Sequence, residues 1–118
     1  MDRTRLLVVA VVLAVFIAVG GYLIYSNQKA GGRRVTINVT VTGASSMSPS
    51  DLSARQDDTV TINVTSDTTG EVHLHGYDIH FNAVAGQTVS HTFKAVNTGD
   101  FDIEWESTSK ALGHLVVT

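Results

Sequence analysis

Cysteine is absent from this chain of 118 residues. That excludes disulfides, thiolate metal centres and cysteine nucleophiles, and says nothing about redox compartment. Proline occurs once, as Pro49, and tryptophan once, as Trp105. Basic residues are scarce beyond the first third. Residues 35–118 hold Arg55, Lys94 and Lys110 against ten acidic side chains, a formal balance of −7. Such a charge argues against nucleic acid or anionic lipid as a partner of that segment, and suits a cationic partner or a metal ion. Catalytic signatures are missing as well. There is no Gly-x-Ser-x-Gly elbow, His-Glu-x-x-His pair, phosphate-cradling loop or EF-hand spacing. No catalytic residue is expected, and the chain reads as a non-enzyme.

What is present divides unevenly. Residues 6–25 carry no charge over 20 positions, enough for a helix of roughly 30 Å to cross a hydrocarbon core. Tyr22 and Tyr25 sit at its end, where amphipathic rings favour the interface. A cleaved secretory signal is the alternative, with an apolar run of about 7–15 residues and a small-x-small cleavage site. This run is longer and ends in Tyr-Leu-Ile-Tyr, which favours an uncleaved signal anchor. Arg3 and Arg5 before it nearly balance Lys29, Arg33 and Arg34 after it, so charge does not fix the topology. The organisation read from these features is a tail at 1–5, a transmembrane anchor at 6–25, a linker at 26–34 and a domain at 35–118.

The domain alternates. Val35, Ile37, Val39 and Val41 interleave with Thr36, Asn38, Thr40 and Thr42, the period of a half-buried strand. Val60, Ile62 and Val64 repeat the pattern, and Phe101, Ile103 and Trp105 interleave with Asp102, Glu104 and Glu106. Further strands are expected at 51–55, 71–77, 88–95 and 112–118, with small or polar turns between them. About seven short strands predict an all-β, antiparallel sandwich that folds without disulfides.

The segment Glu71-Val72-His73-Leu74-His75-Gly76-Tyr77-Asp78 carries the densest chemistry. On a strand, His73 and His75 would share one face, their Cα atoms roughly 7 Å apart. Two imidazoles so placed are either half of a metal site or the polar face of an ordinary strand. His80 follows closely and can fold back, and Glu71 or Asp78 could add a carboxylate. His91 shares the phase of Val89 and Phe93 and reads as a core or rim residue. Asp102, Glu104 and Glu106 read as a solvated strand face rather than as paired catalytic carboxylates.

Four pieces, in order, resemble the cupredoxin family across nearly all of residues 35–118. Pro49 to Val60 is similar to the family's approach to its third strand, and Glu71–Asp78 falls where the family places its first histidine ligand. Gly99–Trp105 resembles the strand leading to the copper loop, and Gly113–Val117 the closing strand. The resemblance implies a Greek-key sandwich with the closing strand in the same sheet as the histidine strand, which would bring His114 near His73 and His75. It also implies that the domain lies outside the cytoplasm. A blue-copper centre needs a cysteine thiolate, two histidines and usually an axial methionine. Here Trp105 stands about where the cysteine would be, Ala111 about where the methionine would be, and Ser107–Lys110 offers no histidine. A type 1 copper centre is therefore excluded.

The resulting expectation is a membrane-tethered, extracytoplasmic binding or accessory module that meets a protein partner or a metal through its His73/His75 face. The alternative is a copper storage or delivery protein binding Cu(II) at His73, His75 and His114, with His80 as a further ligand candidate.

Overall fold

Branched aliphatics at every second position leave one face of each strand apolar, and such faces must be buried against one another. The computed structural model describes residues 32–118. Within them Arg34–Thr118 forms one compact unit of two sheets. The strands are β1 Arg34–Thr42, β2 Ser46–Ser48, β3 Asp51–Ala54, β4 Thr59–Ser66, β5 Gly70–Leu74, β6 Ile79–Ala83, β7 Thr88–Lys94, β8 Gly99–Trp105 and β9 Lys110–Val117, with a 3-10 turn at Glu106–Thr108. No α-helix occurs among the described residues. The expected tail, anchor and most of the linker lie outside them. Among the described residues no helix is long and apolar enough to cross a membrane.

One sheet has the order β2-β1-β4-β7 and the other β3-β9-β8-β5-β6. Val39, Val41, Val60, Ile62 and Val64 from the first meet Val72, Leu74, Phe81, Ile103, Trp105 and Leu115 from the second in one core. The all-β sandwich expectation is met. The purely antiparallel arrangement is corrected: β1–β4 and β3–β9 are parallel. The β1–β4 pair is possible because β3, between them in sequence, crosses to the opposite sheet, giving the long connection that parallel neighbours require.

Two strands beyond the expected seven are present, and one boundary moves. The expected strand at 71–77 ends at Leu74, because His75–Asp78 forms a turn. Gly76 (φ +83°) and Asp78 (φ +52°) adopt left-handed backbone there, and the chain reverses into β6, which pairs antiparallel with β5. The small-residue stretch at 43–50 also contains the short β2 on the edge of the first sheet. β1 begins at Arg34, one residue inside the expected linker.

Candidate metal centre

The outward face of the five-stranded sheet gathers nearly all the chain's histidine chemistry. Val72 and Leu74 of β5 point into the core, so Glu71 and His73 point out. On β8, Ile103 and Trp105 are buried while Asp102 and Glu104 face outward. Cross-strand register then builds one row: Glu104 of β8, His73 of β5 and His80 of β6 are direct neighbours. His75, just past β5, donates its backbone N–H to the Asp102 carbonyl and so stays attached to the same sheet. The turn beyond it brings Asp78 back over His73.

Three imidazoles consequently touch. The His73 and His80 rings stack at 4.2 Å with 11° between planes, and the His73 and His75 rings lie 4.1 Å apart. Asp78 Oδ1 stands 3.0 Å from His73 Nε2 and 2.9 Å from His80 Nε2. These two contacts, from His73 first, hold the Asp78 carboxyl below the usual carboxylate range. Two donors bound to one ion at about 2.05 Å stand about 2.9 Å apart at a right angle and about 3.3 Å in a tetrahedron. The two Asp78 separations match edges of such a coordination shell, and the stacked rings would have to tilt for both nitrogens to converge on one ion.

The opposite nitrogens are arranged as metal-ligating imidazoles require. His80 Nδ1 faces Glu71, and His75 Nε2 stands 2.7 Å from Glu104 Oε1. A carboxylate accepting one ring N–H fixes the tautomer and leaves the other nitrogen's lone pair for a metal. Glu71 first, and then Asp78, raise the His80 pKa above its ordinary value, so a proton and a metal compete for that ring. His73 differs. Its side chain is only 12% exposed, and Nδ1 lies 2.9 Å from Glu106 Oε2. Yet Nδ1 is buried without a hydrogen bond, because that approach is misaligned for an N–H donor. Two sets of donors can hold an ion among the described residues: His73, His75 and Glu106, and His73, Asp78 and His80.

The structure brings His73, His75 and His80 together and places His114 elsewhere. β9 does share the sheet with β5, but β8 lies between them. His114 stands beside Asp102, with Nδ1 2.7 Å from Asp100 Oδ1 and Nε2 2.7 Å from Asp51 Oδ1. Both nitrogens are taken by carboxylates, Asp51 and then Asp100, which raise its pKa. That is the surrounding of an imidazolium clamp across β3, β9 and β8. His91 is exposed at the rim, its ring edge-on to Phe81 at 5.0 Å. Glu104 and Glu106, expected to be merely solvated, are partners of His75 and His73. The signal for this was their common phase with Asp102, on and just past the end of a strand that pairs with the histidine strand.

Where the resemblance would put a copper thiolate, the Trp105 indole is 4% exposed and packed in the core. With no cysteine anywhere in the chain, a type 1 centre cannot form.

No protein-family model and no curated protein matches the chain. Solved structures do. A chain from a heme-copper terminal oxidase dimer is 13% identical, with a TM-score of 0.64, over 98% of this chain and 100% of that one. The metal-binding domain of the Cu(I)-exporting P-type ATPase CopA of Streptococcus pneumoniae, with Cu(I), is 10% identical, with a TM-score of 0.62, over 74% of this chain and 95% of that one. Auracyanin A, a blue copper protein from Chloroflexus aurantiacus, is 18% identical, with a TM-score of 0.55, over 72% and 99% respectively. At these identities the likeness is one of fold, a cupredoxin-like sandwich that these copper proteins share.

Proposed function

We propose that this chain is a membrane-tethered, extracytoplasmic cupredoxin-like module that binds Cu(II) through histidines and carboxylates, with no blue-copper centre and no catalysis. One observation carries the reading: His73 and His80 turn ring nitrogens to within 3.0 and 2.9 Å of the same Asp78 oxygen, while Glu71 holds the far side of the His80 ring. Imidazole with carboxylate suits Cu(II) and Zn(II), and Cu(II) binds more tightly at comparable sites. The apolar run at 6–25 supports the tether. The partly exposed cluster suits capture and hand-over of an ion better than burial of a redox centre.

The test is titration of the full chain in detergent micelles with Cu(II) and with Zn(II), alongside His73→Ala/His80→Ala. The expected result is a Cu(II) dissociation constant below about 1 µM, weaker Zn(II) binding, and loss of both in the double variant. Copper affinity no better than that of the double variant refutes the reading.

A second reading is favoured by the match to the terminal-oxidase chain, which spans 98% of this chain where the other two stop at 74% and 72%. On that reading the module is an accessory component of a membrane-bound terminal oxidase. Gentle solubilisation and affinity purification would then recover heme with the chain; recovery without heme refutes it.

A further inference from the structure

His73 is the only residue common to both sets of donors, and it presents a different nitrogen to each. Nε2 faces Asp78, which also meets His80. Nδ1 faces Glu106 at 2.9 Å, on the side of His75, whose ring lies 4.1 Å from that of His73. The two lone pairs of an imidazole diverge across the ring, so one cation cannot use both.

We propose that His73 bridges two cations: one held by His73 Nε2, Asp78 and His80, the other by His73 Nδ1, His75 and Glu106. The proposal rests on the copper-binding reading above and adds to it a second ion and a shared ligand. Three features of the cluster support it.

First, the outer histidines each have a carboxylate on one ring nitrogen, Glu71 on Nδ1 of His80 and Glu104 on Nε2 of His75, which leaves the other nitrogen for an ion. Each is fixed as the terminal ligand of its own ion. His73 has no such carboxylate reserved for orientation, as a bridging ring requires, because both its nitrogens are spent on ions.

Second, the buried Nδ1 lacks a hydrogen bond although a carboxylate oxygen is within reach. A buried polar atom without a partner is costly. A cation between Nδ1 and Glu106 satisfies both, since lone pairs that converge on a third point need not face each other.

Third, the cluster is acidic enough for two ions. Asp78, Glu106, Glu71 and Glu104 surround the three rings, enough negative charge to hold two divalent ions in a small volume. Binding of the second ion displaces the remaining ring proton of His73 to solvent and leaves an imidazolate between the metals. No electron moves. With metal–nitrogen bonds of about 2.0–2.1 Å, the ions stand about 6 Å apart.

Two Cu(II) ions joined by an imidazolate couple their unpaired electrons, which gives the test a signature that independent sites lack. The full chain in micelles is titrated with Cu(II) while bound copper is counted and the EPR signal integrated at low temperature. The expected result is two copper ions per chain, with the integrated signal rising over the first equivalent and falling over the second. Glu106→Gln, at a side chain 44% exposed, is expected to fold as wild type by far-UV circular dichroism. It should bind one copper carrying one full spin, and Asp78→Asn should do the same from the other side. One copper per chain in wild type, unchanged by Glu106→Gln, overturns the bridge and leaves the single-site reading standing. Two coppers whose spins add without coupling also overturn the bridge. No bound copper overturns both.

Discussion

Replacing Gly70 with alanine should unsettle the interior more than any other single methyl group added to β5. Gly70 shares the inward phase of Val72 and Leu74. A Cβ built there falls 2.1 Å from Trp105 Cζ2 and 2.8 Å from Cη2. Ordinary contact begins near 3.4 Å, so the indole would have to retreat by about 1.3 Å through a close-packed interior. Trp105 is 4% exposed and packed in the core. Overpacking of this kind costs about 1–3 kcal/mol, and Gly70→Ala is placed at the middle of that range, about 2 kcal/mol. With a urea slope of about 1 kcal/mol/M for a small domain, the midpoint should fall by about 2 M. The assay is direct, because Trp105 is the only tryptophan, so its emission follows unfolding of the sandwich alone. Trp105→Phe removes the three indole atoms nearest the new methyl. Followed by circular dichroism, the pair should show coupling of about 1 kcal/mol or more, the double variant being less damaged than the two single losses predict. A Gly70→Ala midpoint within about 0.3 M of wild type, with unchanged emission, refutes this account of why glycine occupies the position.

His114 supplies a pH-dependent contribution. Asp51 and Asp100 raise its pKa on folding, so its stabilisation is fully present below the unfolded value of about 6.5 and is lost as pH rises through the folded value. The difference in urea midpoint between wild type and His114→Gln should therefore shrink as pH rises from about 6 to 9; a difference that grows, or stays flat, refutes the clamp. Glu71→Gln leaves His80 in place but weakens its orienting acceptor, and Cu(II) affinity should drop by about 10- to 100-fold by calorimetric titration. A drop of less than about threefold would show that Glu71 does not orient a ligand.

The alternation of Val35–Val41, Val60–Val64 and Phe101–Trp105 made the long strands and their buried faces legible, because period-two burial is a local property. β6 was less legible: Ile79-His80-Phe81-Asn82-Ala83 alternates, but it follows a tight turn that looked like continued strand. The cue was Gly76 followed two residues later by Asp78, a pair able to adopt positive φ. The parallel pairings of β1 with β4 and β3 with β9 are not local at all; they depend on which sheet a connecting strand joins. The same non-locality decided the histidines. That His73 and His80 stack follows from the β5–β6 register, and that His114 stands apart follows from β8 lying between β9 and β5. Residue identity named the imidazoles; strand order chose which of them meet.

The alternation that sends Val72 and Leu74 inward and Glu71 and His73 outward also separates two physical roles. The histidine and carboxylate donors stand on one side of β5 and the buried core on the other, with a single layer of backbone between them. A lineage could erase, shift or enlarge the donor set on the outer side while the interior stays fixed. An interior sealed by an indole, in turn, constrains the outer surface very little. The sandwich can therefore serve as a permanent frame for impermanent chemistry.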